Sequence, residues 1–212
     1  PDAEPVHAHP LGGYLSRSLL ALVAYALLTY MDMVLVTHFF PKDQANLFAR
    51  AALVGRTVVF LPIPIAMAMF PKVVSVGASS RHTLIMLLKA LGLAVAIIGS
   101  AVLVCSVVPW LPLRIMFGIK DPSIQQLELI RWVLWAMAPL GITYMLMNFE
   151  LAQHRFRLLP FLWVCALGYI GGVQFFHASL GQFLAVFGGV TTLSALSLVG
   201  LVVRAQLKPT PS

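Results

Sequence analysis

The sequence predicts an all-α membrane protein, a bundle of six transmembrane helices with its N- and C-termini both on the cytoplasmic side. Three observations predict it. The chain is 60% apolar and only 10% charged, where soluble domains carry about a quarter charged residues, and its mean hydropathy is +0.92. Six long apolar segments can be drawn, each bounded by proline, glycine or charge. The basic residues between them concentrate in alternate connections.

The six segments run roughly over 13–40, 44–70, 83–108, 124–151, 158–177 and 180–203. Crossing the hydrocarbon layer takes about 20 mostly apolar residues as a helix, so 212 residues hold six spans and short connections. Lipid offers backbone groups no hydrogen bonds, which makes such spans helical. The alternating ten-residue strands of a membrane barrel are not in the sequence. Residues 1–12 carry three prolines and read as a polar linker or tail, and residues 204–212 as a cytoplasmic tail. A first residue that is Pro1, without a secretion signal, points to a fragment or a processed chain.

With the N-terminus inside, the inner segments hold Arg17, Lys72, Arg81, Lys89, Arg155, Arg157, Arg204 and Lys208, and the outer ones Lys42, Arg114 and Lys120. That bias favours N-in, C-in. The net charge of +7 therefore reflects topology and not nucleic-acid binding, because the cations are scattered singly between apolar runs. Two connections exceed a turn. Pro71 to His82 is amphipathic enough to lie along the inner interface, and Pro109 to Ser123 suits a half-buried loop or short helix at the outer headgroup level. Cys105 and Cys165 lie in apolar segments and read as small core residues. His7 and His9 read as solvated tail, so neither a metal nor another cofactor is expected.

Pro62 and Pro64, in the second span, each remove a backbone donor, which frees the carbonyls of Val58 and Phe60. The result is a packing kink or a hinge beside a cavity. Charges inside spans say most, since each costs about 2.5–3.5 kcal/mol at the centre of an inserting helix. Asp32 lies in the first span, on one stripe with Tyr25 and Thr29, so that face should meet protein or water. The second span carries Asn46, Arg50 and Arg56. Its arginines are six positions apart and turned about 120° from each other, so one can pair with Asp32 while the other faces a cavity. The same residues support two readings: a neutral pair holding two helices in register, or a surplus cation that attracts an anionic, phosphate-bearing lipid.

Elsewhere the patterns are plainer. Glu128 and Arg131 stand three apart, as a helix-surface pair would. Asn148 and Glu150, beside His154, Arg155 and Arg157, read as an interfacial anchoring cluster. His38 sits at the headgroup boundary, inert or able to titrate near neutral pH. The glycine pairs at 171–172 and 188–189 should permit close helix packing. The sequence has no P-loop, zinc-binding His-Glu-x-x-His or nucleophile elbow, and no enzymatic activity is expected.

The stretch MDMVLVTHFFPKDQANLFARAALVGRTVVFLPIPIAMAMFPKVV resembles the first helix pair of the C-terminal lobe in polysaccharide-biosynthesis flippases of the multidrug/oligosaccharidyl-lipid/polysaccharide superfamily. An aspartate-bearing span, a short loop, a small-residue helix containing an arginine or similar group and a closing Phe-Pro-Lys/Arg recur there in that order. PLRIMFG and LAQHRFR are similar to that family's later loops. The resemblance implies one lobe of a MATE-like transporter that exports a lipid-linked oligosaccharide across the cell inner (plasma) membrane by alternating access. Its cavity would be lined by Asp32, Asn46, Arg50 and Arg56, and its partners would be an anionic lipid-linked saccharide and a second, N-terminal lobe. A lipid II flippase, a cation-coupled drug exporter of the same superfamily, and a scaffold subunit of an exopolysaccharide-synthesis complex are the alternatives.

Overall fold

The computed structural model describes residues 11–68, 81–153 and 155–207, and every regular element among them is helical. In chain order these are α1 (Leu11–Phe39), α2 (Lys42–Phe60), α3 (Arg81–Val107), α4 (Trp110–Phe117), α5 (Ile124–Ala152), α6 (Leu159–Phe175) and α7 (Leu180–Leu207). The chain is an all-α membrane bundle. Its outer faces are apolar, with Leu19, Val34, Leu103, Val164 and Leu193 all exposed, as a hydrocarbon solvent requires. The tail with His7 and His9, nearly all of the amphipathic stretch at 71–82, and His154 lie outside the described residues.

Among the described residues five helices, not six, are long and apolar enough to cross a membrane: α1, α2 with its continuation to Ala68, α3, α5 and α7. The fifth expected span, 158–177, shortens to α6, with 17 residues. At 1.5 Å per residue it is about 25 Å long, against a hydrocarbon layer of about 30 Å. Both ends have a local cause. Pro160 falls in the first turn, where a missing N–H is harmless and the fixed φ starts a helix. At the other end the backbone leaves the helix at Phe176, with φ −122° and ψ 66°.

The helix α5 is the axis of the bundle. It packs most extensively against α2 and α7, then α3, whereas α1 packs mainly against α6. Its Ile130, Val133, Leu134 and Leu140 are fully buried. Small residues set the closest approaches. A Cβ on Gly141 would stand 2.8 Å from Ile98 Cδ1, 3.2 Å from the Pro62 ring and 3.2 Å from the Val59 carbonyl oxygen, so α2, α3 and α5 converge on that glycine. Of the two glycine pairs, one member of each packs closely: Gly172 against Val186 and Gly188 against Ala136, while Gly171 and Gly189 face open space.

The prolines of the second span break it as expected. The helix α2 stops at Phe60. The Val58 carbonyl, which Pro62 cannot serve, accepts instead from the Leu61 N–H at 3.2 Å. Helix resumes at Ile63, with Ala66 N–H on Pro62 O at 3.0 Å. The connection at 109–123 contains the short helix α4, which buries Leu113 completely. It closes at Gly118, whose φ of 67° lies in the left-handed region that glycine enters without strain.

Gly141→Ala should lower stability in detergent by about 1–3 kcal/mol through overpacking. Gly200→Ala, on a face with nothing within 4 Å, should instead be neutral or raise it by about 0.5–1 kcal/mol. Thermal unfolding of the two variants checks this, and equal effects would show that Gly141 does not set the α2–α5 spacing.

Candidate functional site at the α1–α2 interface

The turn Phe40–Pro41 joins α1 to α2, so the two run antiparallel. Asp32 lies seven residues before the end of α1 and Arg56 fourteen residues after the start of α2, about 10 Å and about 21 Å from the turn. Side chains lean toward the N-terminus of their own helix, so the aspartate leans away from the turn and the arginine toward it. The long guanidinium stem closes the remaining gap.

The contact is direct. Arg56 Nη2 donates to Asp32 Oδ1 at 2.6 Å and to the Thr29 carbonyl at 3.5 Å, and its guanidinium lies 5.3 Å from the centre of the Tyr30 ring. The Asp32 side chain is 0% exposed and that of Arg56 13%. The stripe that carries Asp32 faces protein throughout. Thr29 Oγ1 donates to Tyr25 O at 2.9 Å, and the Tyr25 hydroxyl donates to Leu140 O on α5 at 3.3 Å. Three buried polar atoms here have no hydrogen-bond partner among the described residues: Asp32 Oδ2, Arg56 Nε and the Tyr169 hydroxyl of α6. Tyr169 lies within electrostatic reach of both charges, a neighbour with no signal in the sequence.

The other two candidates stand apart from this pair. Asn46 and Arg50 are exposed, on one stripe with exposed Leu53 and Thr57. Arg50 forms no ion pair among the described residues. The two arginines of α2 thus divide as their angular separation requires, one turned into α1 and one outward. Pro62 is buried and Pro64 exposed on the continuation of the same span.

Other ionisable residues depart from expectation. Glu128 and Arg131 do not pair: Arg131 Nε donates to the Ser106 carbonyl of α3 at 2.9 Å, because a tertiary acceptor fixed in place outcompetes a solvated partner one turn away. Glu150 is not a headgroup-level anchor. It is 3% exposed, its Oε1 has no hydrogen-bond partner among the described residues, and it borders a small cavity with Arg155 and Phe156. A helical register that turns position 150 inward toward α1 decides this, and an unbroken apolar run in α5 gives no clue to that register. His38 is exposed, edge-on to Phe39 at 4.8 Å. Cys105 and Cys165 are free thiols, half-buried.

A buried pair of this kind should show strong coupling. Asp32→Asn or Arg56→Gln should each cost about 3–5 kcal/mol, because the survivor is left as an uncompensated buried charge. The double variant should cost less than the sum of the two. Unfolding of all four proteins in one detergent measures the coupling, and additivity would show that the two groups do not support each other. No protein-family model, curated protein or solved structure matches this chain.

Proposed function

We propose that this chain is one lobe of a membrane transporter that exports an anionic, lipid-linked oligosaccharide by alternating access, with its α2 face toward a second lobe. The observation that carries the reading is the exposed Arg50, without an ion pair among the described residues, on the stripe with Asn46 and Thr57. Arg50 lies eight residues into α2, about 12 Å along its axis. A guanidinium at that depth is costly against hydrocarbon and marks a surface that meets protein or water. Its planar donor fork suits a phosphate better than a lysine would. No metal or cofactor enters the proposed cycle.

In this reading the roles divide. Arg50 and Asn46 meet the substrate, with Arg56 available through its small exposed portion. Asp32 holds Arg56 in place and keeps the local charge of that segment from doubling. The break at Pro62 and Pro64 is the point at which α2 bends as the lobes rock. In this reading α6, whose 17 residues reach the short end of a span, crosses as well, which puts both ends of the lobe on the cytoplasmic side of the cell inner membrane. A drug exporter fits less well, since cationic substrates call for acidic cavity residues and the exposed charge on this face is positive. A purely structural role, as in a scaffold subunit, is favoured by one observation: the complete enclosure of Asp32.

Arg50→Gln separates the two. Loss of one charge-assisted contact, about 1.5–3 kcal/mol, should lower transport of the lipid-linked saccharide about tenfold or more, with the protein present in the membrane at its normal level. Arg50→Lys should recover part of the activity. Undiminished export by Arg50→Gln would leave only the structural role.

A further inference from the structure

A second feature lies on a different face from the α2 stripe. At the end of the bundle where α1 turns into α2, a cavity of about 530 Å³ opens between that turn, the start of α5 and the start of α7. Phe39, Trp132 and His177 wall it, with Gln44, Gln125 and Glu128 at its polar side. The Phe39 and His177 rings are stacked with centroids 4.3 Å apart. Among the described residues Glu128 forms no ion pair, Arg131 donating to the Ser106 carbonyl, and Glu128 is exposed at this cavity.

The cavity does not end at the helix ends. Trp132, Gly181 and Leu184 also line a second, mainly apolar groove of about 460 Å³ that continues along α5 and α7 past Trp135, Gly188 and Thr192. From Gly181 to Thr192 the groove follows eleven residues of α7, about 16 Å of helix. Its floor is open because Gly189 carries no side chain and a Cβ there would meet nothing within 4 Å. A polar, aromatic-walled mouth with one unpaired carboxylate, joined lengthwise to an apolar trough, has the form of an amphiphile.

We infer that this paired cavity and groove is a binding site for a bilayer phospholipid whose headgroup carries an ammonium, with one acyl chain laid between α5 and α7. Charge selects the headgroup. The free Glu128 carboxylate attracts a cation and repels an anionic headgroup, and aromatic walls add cation–π attraction to an ammonium partly removed from water. The chain site is selected by shape, a groove beside glycines that a single extended chain fills and that a flat helix face does not provide. The site uses neither Arg50 nor the two-lobe arrangement and stands or falls separately from the transport reading.

Native mass spectrometry of the full chain, released from detergent with equal amounts of phosphatidylethanolamine and phosphatidylglycerol of the same acyl chains, tests the assignment. The wild type should retain the ethanolamine lipid in preference by about tenfold, the scale of an ion pair reinforced by a cation–π contact. Glu128→Gln should abolish that preference. Gly189→Leu, which fills the trough, should lower retention of both lipids, and Ala185→Leu gives a second way to fill it should Gly189→Leu unfold. Equal retention of the two lipids by the wild type, or a preference unaltered by Glu128→Gln, would overturn the headgroup assignment. Retention unaltered by filling the groove would overturn the acyl-chain site and reduce the bound lipid to an ordinary annular one.

Discussion

The ion pair between Asp32 and Arg56 sits at a depth in the bundle where neither group would be tolerated alone. Each charge by itself would cost about 2.5–3.5 kcal/mol at the middle of an inserting helix, and joined at 2.6 Å they offset one another. The pair also adds a polar link where packing is thin, since α1 lies mainly against α6 and touches α2 less extensively. Packing against α5 sets the rotation of α2 about its own axis, and the contact of Arg56 with α1 reinforces it. That rotation is what turns Asn46, Arg50 and Thr57 outward and Phe48, Val54 and Val58 into the core. The division between a structural arginine and an exposed one follows from that rotation and from the six-residue spacing of the two.

From α1 the same polar line reaches the central helix. Pro139 lies inside α5 and cannot donate a helical hydrogen bond. Around this point the carbonyls of α5 take side-chain donors: Tyr25 on Leu140 O, Thr143 on Pro139 O at 3.1 Å, and Thr191 of α7 on Ala136 O at 2.6 Å. Hydroxyl groups serve carbonyls in this way where no water is available. The helix that buries the most apolar side chains is therefore also tied to α1 and α7 by hydrogen bonds. Its remaining face, with Trp132 and Trp135 both exposed, is left for the groove beside α7.

The spans were legible because lipid imposes composition on every residue of a crossing helix, and hydropathy therefore marks each one. It does not mark where a helix stops. The shortness of α6 depends on Pro160 and on the backbone at Phe176, not on apolar content. A pairing of Asp32 with one arginine of α2 was legible because charges are rare in such segments, but the choice of Arg56 was not, since helical rise alone puts Arg50 nearer the depth of Asp32 and the rotation of α2 decides against it. Rotation was legible only where a polar stripe marked it. In α5 no such stripe exists, so the inward turn of Glu150 and the convergence on Gly141 were hidden. Glycine pairs were read as pairs, although adjacent positions turn about 100° apart and only Gly172 and Gly188 can meet a neighbour. The Glu128–Arg131 spacing was read locally, and a carbonyl on another helix took the arginine.

The account depends most on the claim that the face of α2 bearing Arg50 meets water or a polar partner and not lipid. Asn46→Cys, Arg50→Cys and Thr57→Cys, each in a chain whose Cys105 and Cys165 have been replaced by alanine, can be exposed in intact membranes to a water-soluble maleimide. Leu22→Cys, on the exposed apolar face of α1, is the reference for hydrocarbon. The account predicts that the three α2 positions react and the reference does not. Three α2 positions as unreactive as Leu22→Cys would contradict it.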